Sequence, residues 1–386
     1  MENMRELRNY VVPEIIYGVE THGLAGQYAG RLGIGTVLVV SDPGVDSAGW
    51  MGKVMDSLAA AGIVAVPFLA VTSNPKDHEI MAGVEAYRRA GCDGIIAVGG
   101  GSPIDCAKGI GIVCSNGGHI LDYEGVDKVP RPIPPLVCIP STAGSAADVS
   151  RFAIITDTDG LRKVAIVSTS VVADLALIDP TLTTTMDPNL TACTGMDTLT
   201  HAIEAYVSSS GSPFTDLHAL QAARSVAFHL LAAIDDPSSV TARNGMMFAS
   251  TQAGLAFSNA GLGAVHAMAH SLGGLLDSPH GDCNAYLLQH VVAYNYVSSP
   301  VRYREIGQAL GFDLHGCTDE VVCEALVEGI GRFRSAVGIK GSLASQGVRP
   351  EQLTILAQKA LLDACMATNP RRPTVGEIEA IYTAAL

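Results

Sequence analysis

Residues Gly94–Asp105 read Gly-Ile-Ile-Ala-Val-Gly-Gly-Gly-Ser-Pro-Ile-Asp. A short apolar run of β-forming residues strikes three glycines, and Pro103 then suits the first turn of a helix through Cys106–Ile112. Glycine lets a backbone approach a ligand closely, and the free N–H groups of a helix start attract anions. The segment is neither G-x-G-x-x-G nor a Walker A loop, so neither standard fingerprint applies.

A second loop of the same kind, Pro140-Ser141-Thr142-Ala143-Gly144-Ser145, follows the apolar run Leu136–Ile139. Two such loops after parallel strands share one carboxyl edge, where open sheets bind ligands, and together they point to a nucleotide. Thr36–Ser41 and Ile63–Leu69 are further strand-like runs, alternating with helical patterns at Gly52–Ala61 and Asp77–Ala90. That alternation predicts a parallel sheet covered on both faces. Asp42 closes the Thr36–Ser41 run. A carboxylate there can accept hydrogen bonds from an adenosine ribose and repel a 2′-phosphate, which favours NAD over NADP. The plain alternative is a solvated turn aspartate before Pro43.

From about Asn189 the pattern changes. Leu190–Val207, Phe214–Ala233, Gln252–Leu276 and Asp319–Val337 read as helices, after a junction at Thr181–Asn189. The expected organisation is an α/β N-terminal dinucleotide-binding domain at 1–184 and an all-α C-terminal domain at 185–386, carrying metal and substrate.

The net charge of −14 argues against a nucleic-acid partner, because neutralising phosphates needs a basic surface. Asn244–Leu276 runs 33 residues without Asp, Glu, Lys or Arg, long enough to cross a bilayer. Its Gln252, His266, His270, asparagines and serines make it instead the interior of a protein outside the membrane. The first eight residues lack the apolar core of a signal peptide. None of the nine cysteines forms Cys-x-x-Cys, and buried free thiols in a reducing cytoplasm are expected.

Histidine spacing carries the second chemical signal. His266 and His270 are four apart on a helical pattern, as are Asp197 and His201, and His280 follows Asp277-Ser278-Pro279. Carboxylate plus imidazoles suits a first-row divalent ion, and the nearly uncharged flanks would bury these groups with nothing else to pair with. Spacing does not separate His266 from His270 as ligand. His290 reads as core, and His22, His78, His119, His218, His229 and His315 as structural or surface residues.

Four ordered motifs, GGGSPID at Gly99–Asp105, PSTAGSAADVS at Pro140–Ser150, GMDTLTHAIEAY at Gly195–Tyr206 and HAMAHSLGGLLDSPHGDCNA at His266–Ala285, resemble the iron-containing (group III) alcohol dehydrogenases. The likeness spans essentially the whole chain. It implies a dehydroquinate synthase-like fold and NAD-linked interconversion of small primary alcohols and aldehydes. By that resemblance the metal ligands fall on Asp197, His201, His266 and His280, and His270 falls on the proton pathway. Cofactor contacts fall on Asp42, Asn74, Gly100, Gly101, Ser102, Asp105, Thr142, Ser145, Lys163 and Leu182. Fe(II) is the expected ion, with Zn²⁺ or Ni²⁺ able to fill the same ligands. A homodimer or higher homo-oligomer is also implied.

The chain departs from the common family pattern TAGTGSEV at Ala146, Ala147 and Asp148. The pattern is similar to a branch that includes proteins linked to regulation of ethanol oxidation. A regulatory or sensor role is therefore the alternative reading. The intact Asp197, His201, His266 and His280 set favours chemistry.

Overall fold

The computed structural model describes residues 9–386; Met1–Arg8, where the missing signal-peptide core was read, lie outside them. All strands among the described residues fall in the first half: β1 (Glu14–Tyr17), β2 (Thr36–Val40), β3 (Val64–Phe68), β4 (Gly94–Gly99), β5 (Gly125–Val126), β6 (Leu136–Pro140), β7 (Phe152–Asp157), β8 (Arg162–Val167) and β9 (Leu175–Ile178). Six of them form one parallel sheet in the order β1-β9-β6-β4-β2-β3. The helices of this half are α1 (Ala25–Arg31), α2 (Pro43–Ser47), α3 (Trp50–Ala60), α4 (Asp77–Ala90) and α5 (Gly101–Asn116).

Sheet burial follows directly from the sequence. Ile95 and Ala97 of β4 pack with Leu38, Val40, Leu136 and Cys138 on one face. Ile96 and Val98 pack with Val37, Val39, Val137 and Ile139 on the other. Because both faces are covered, these strands are continuous apolar runs rather than alternating ones. The order also reverses between β2 and β4. Chain leaving one strand turns toward β3, while chain leaving the other turns toward β6, which opens a crevice at their carboxyl ends. Asp42 and Gly100-Gly101 stand at that crevice.

The second half holds no strand among the described residues. It consists of α6 (Pro188–Val207), α7 (Pro213–Asp235), α8 (Val240–Ala260), α9 (Ala264–Leu276), α10 (His280–Asn295), α11 (Pro300–Ala309), α12 (Asp319–Ala336), α13 (Leu353–Leu362) and α14 (Val375–Ala385). Their buried faces share one large apolar core. Among the described helices, α7 has the length and composition to cross a membrane; here it packs against α6 and α8.

Several expectations need correcting. Gln252–Leu276 is not one helix. Gly261 adopts φ 78°, a left-handed conformation that ends α8, and α9 restarts three residues later. The sequence reading also passed over β1 and β9, four residues each; β1 is an edge strand paired to β9, and β9 lies between β1 and β6. It passed over the sheet β5-β8-β7 as well, where β7 and β8 are antiparallel.

Candidate active site

The two halves face each other across a cleft of about 850 Å³. On the sheet side, α5 begins at Gly101 with no side chain capping its first turn, so backbone N–H groups are left to face the cleft. A Cβ on Gly101 would come within 2.9 Å of the Ser145 side chain, so the two loops meet only because this residue is bare backbone. A cradle of that kind fits a pyrophosphate.

Of the residues assigned to the cofactor, Asp42, Asn74, Gly100, Gly101, Ser102, Asp105, Thr142, Ser145 and Lys163 all border the cleft. Leu182 does not: it is fully buried in the core beneath the sheet. Asp42 caps α2, its Oδ1 accepting from Gly44 N at 2.8 Å and Val45 N at 3.0 Å. It is thus a capping turn residue and a cleft residue at once. Asn74 holds φ 58° and donates from Nδ2 to Asp277 Oδ1 at 2.7 Å, a bridge between the halves. Burial pushes the Asp105 carboxyl up to about 6, against the pull of Lys108. Burial, assisted by Lys76, pushes the Lys163 amine down to about 7; its Nζ donates to Thr156 Oγ1 at 2.9 Å.

Lys108 was missed by the sequence reading. It is fully buried, and its Nζ donates to the carbonyls of Ala147 (2.6 Å), Ser150 (2.7 Å) and Phe152 (2.8 Å). It therefore pins the end of the second loop to α5. A lone lysine in the otherwise apolar segment Cys106–Ile112 was the available signal.

On the helical side, Asp187 caps α6 by accepting from Leu190 N, with Pro188 in the first turn. That start turns Asp197, His201 and Glu204 onto one buried face. Asp197 Oδ1 lies 3.8 Å from His201 Nε2, 3.5 Å from His266 Nε2 and 3.6 Å from His280 Nε2. Donors about 2.1 Å from a tetrahedral ion sit about 3.4 Å apart, so the spacing of each imidazole from Asp197 fits, and the donor atoms of Asp197, His201 and His266 all lie within 4.8 Å of one another. His201 stacks between Phe257, with centroids 4.3 Å apart, and His266, at 4.4 Å.

Glu204, also missed, is buried beside this cluster. Its carboxylate accepts from Gly263 N (3.0 Å) and Val265 N (2.6 Å), capping α9, and meets His266 Nδ1 at 2.6 Å. One side chain thus sets both the start of α9 and the ring orientation of His266. Its place seven residues after Asp197 was a legible signal.

Electrostatics agree with a cation at this point. Burial drives His201 down to about 3 and His280 well below its ordinary value, leaving neutral imidazoles. Asp197 stays anionic: burial opposes the charge, but His201, His266 and His280 hold its pKa below the carboxylate range. Burial likewise opposes charge on His266, yet Glu204 and Asp197 raise it to about 9. A place that draws in a proton at neutral pH is one that a divalent cation can fill instead.

His270 stacks on His280, with ring centroids 5.3 Å apart, but its Nδ1 has a partner of its own. Its Nδ1 lies 2.9 Å from Asp363 Oδ2, which also binds Cys365 N through Oδ1. Burial opposes the Asp363 charge, and His270 holds it below the ordinary value. Asp363 lies 93 residues away in sequence, so no spacing could have found it.

Comparison with known proteins decides the family. The family model described as iron-containing alcohol dehydrogenase matches residues 13–180. The model for the C-terminal part of the Fe-containing alcohol dehydrogenase family matches residues 191–386. The chain belongs to the iron-containing alcohol dehydrogenases. Relatives in this family include the 1,3-propanediol dehydrogenase of Citrobacter freundii, 39% identical over 380 residues and covering 98% of both chains. The NAD-dependent methanol dehydrogenase of Bacillus methanolicus is 34% identical over 377 residues, covering 98% of this chain and 99% of its own. A crystal structure of 1,3-propanediol oxidoreductase superposes with a TM-score of 0.96 at 39% identity, over 99% of this chain and all of the other. Use of NAD and a divalent metal goes with that membership, and the Asp197, His201 and His266 cluster is a site able to hold the ion.

Proposed function

We propose that this iron-type, NAD-linked alcohol dehydrogenase interconverts short primary alcohols and their aldehydes in the cleft between its halves. The observation that carries the reading is the convergence of Asp197, His201, His266 and His280 on one wall, opposite the bare-backbone cradle at Gly100-Gly101. The named substrates of the relatives, a propanediol and methanol, support a small primary alcohol.

When bound, the divalent ion would supply Lewis acidity and NAD the hydride-accepting ring. Asp197, His201, His266 and His280 hold the ion, and Glu204 keeps His266 in its ligating orientation. The α5 N-terminus, with Thr142 and Ser145, receives the pyrophosphate, and Asp42 receives the adenosine ribose. Asn74, Ser102, Asp105 and Lys163 complete the cofactor contacts along the cleft floor. His270 takes up the alcohol proton at Nε2, since Asp363 engages its Nδ1. The apolar walls contributed by Phe257 and Leu262 exclude water from the reacting atoms.

We put the domain junction at residues 184/185; the change from sheet to helix between the 3₁₀ turn over Pro180–Thr185 and the Asp187 cap of α6 supports it. Exposed Phe214, Leu217 and Phe228 on α7 support association with further copies of this chain. The free cysteines support a reducing, cytoplasmic location, and the net charge of −14 argues against a nucleic-acid partner. The decisive experiment assays metal-reconstituted protein with NAD and a panel of primary alcohols, alongside His280→Ala. Turnover by the parent and loss of both metal and turnover in the variant are expected. Unchanged metal content and turnover in His280→Ala would defeat the assignment.

A further inference from the structure

Asn284 lies one helical turn beyond His280 on α10 and is completely buried. Its Nδ2 lies 2.7 Å from Asp197 Oδ1, 3.1 Å from His280 Nε2 and 3.3 Å from His266 Nε2. Its Oδ1 is buried as well and meets no hydrogen-bond donor. Orphaning an amide oxygen in the interior is costly, so the placement must be explained by what the nitrogen does.

Turning the amide over would set Oδ1 2.7 Å from the Asp197 carboxylate oxygen, two acceptors in contact, which like partial charges forbid. The nitrogen therefore faces inward. Among its three neighbours the shortest contact is to the anionic Asp197, and a charge-assisted bond of this kind is the strongest available. Asp197 Oδ1 also keeps a lone pair for such a donor while it ligates an ion, which an imidazole Nε2 does not.

Position adds a second argument. Asp197, His201, His266 and His280 all border the cleft, whereas Asn284 does not. The amide therefore touches Asp197, His266 and His280 without itself reaching the cleft.

Resting on the assignment of those four residues as metal ligands, we propose that Asn284 is a positioning residue of the metal centre. Its N–H fixes the Asp197 carboxylate, and its bulk closes the rear of the donor set. Any further ligand, including substrate oxygen, then arrives from the cleft side alone. Asn284 is not itself a ligand.

The test loads the whole chain with Co(II) and records its d–d absorption and its release into excess chelator. Asn284→Leu keeps the branched shape and removes the N–H: the absorption of the parent is expected, with release faster by about 10- to 100-fold. Asn284→Ala opens the rear to water. Its release is expected to be similarly fast, with a weaker band as the coordination number rises, and it carries the test if the leucine variant does not fold. Release rates within about twofold of the parent in the variants that fold would overturn the proposal. So would a band in Asn284→Leu altered as for a lost ligand. A parent that binds no Co(II), or a His280→Ala variant that binds it as the parent does, sinks the ligand assignment instead.

Discussion

The two walls of the cleft offer ligands different means of recognition. The sheet wall works through backbone: two loops at the ends of β4 and β6, kept close by Gly101, with Lys108 tying the second loop down from behind. The helical wall works through side chains drawn from α6, α9 and α10, spaced across 83 residues from Asp197 to His280 and oriented by a further set behind them. Backbone recognition needs a contiguous stretch and is written locally. Side-chain recognition needs distant elements to be packed correctly, and its supporting residues matter as much as its ligands.

If the walls are independent, they can be broken one at a time. His266→Ala is expected to abolish bound metal and turnover while NAD binding, followed by quenching or calorimetry, is retained. Gly101→Val is expected to do the reverse: metal content by elemental analysis is unchanged, and NAD affinity falls by about 10- to 100-fold. That follows from an overpacking cost of about 1–3 kcal/mol against Ser145. Loss of both ligands in either variant would show that the walls are coupled.

Next in size is the clamp behind the cradle. Lys108→Met leaves three buried carbonyls without their donor, and a loss of about 3–5 kcal/mol in chemical denaturation is expected. The direction follows from the orphaned carbonyls of Ala147, Ser150 and Phe152; burial opposes the Lys108 charge itself, and Asp105, Cys138 and Asp148 offset that in part.

A pH dependence sharpens the comparison further. Lys163 has its pKa lowered to about 7 by burial, so the unfolded chain binds the extra proton between about pH 7 and about pH 10.5. Stability from this group therefore rises as pH climbs through that window. The charge offered to an anionic cofactor changes in the opposite sense. The KM for NAD is expected to rise as pH increases through about 7, and to lose that trend in Lys163→Met. A profile that is the same in both proteins would remove Lys163 from the cofactor site.

The smallest expected effect is at Ala146, one of the departures from the common family pattern. It adopts φ 47°, a conformation that glycine enters freely and alanine does not. Ala146→Gly relieves that strain but gives the unfolded chain more freedom, so a net change below about 1 kcal/mol in thermal or chemical unfolding is expected.

Legibility in the sequence followed the same division. Gly94–Asp105 announced strand, loop and helix because each depends on near neighbours, and Asp77–Ala90 was delimited as the helix that forms. Gln252–Leu276 was read too long because Gly261 and Gly263 look ordinary in a small-residue stretch. What makes them a break is the left-handed turn and the Glu204 carboxylate waiting for the next helix start.

By itself, then, the sequence determined an apolar parallel sheet, a helical second half, an anion-binding loop and a set of ligand-type residues at helical spacing. These rest on periodicity and on the conformational limits of glycine and proline, which act over a few residues. Only the tertiary structure decided that His270 turns to Asp363, that Glu204 and Asn284 hydrogen-bond the proposed ligands, and that Leu182 lies in the core. Those choices depend on which distant groups share a buried space, where each polar atom must find a partner.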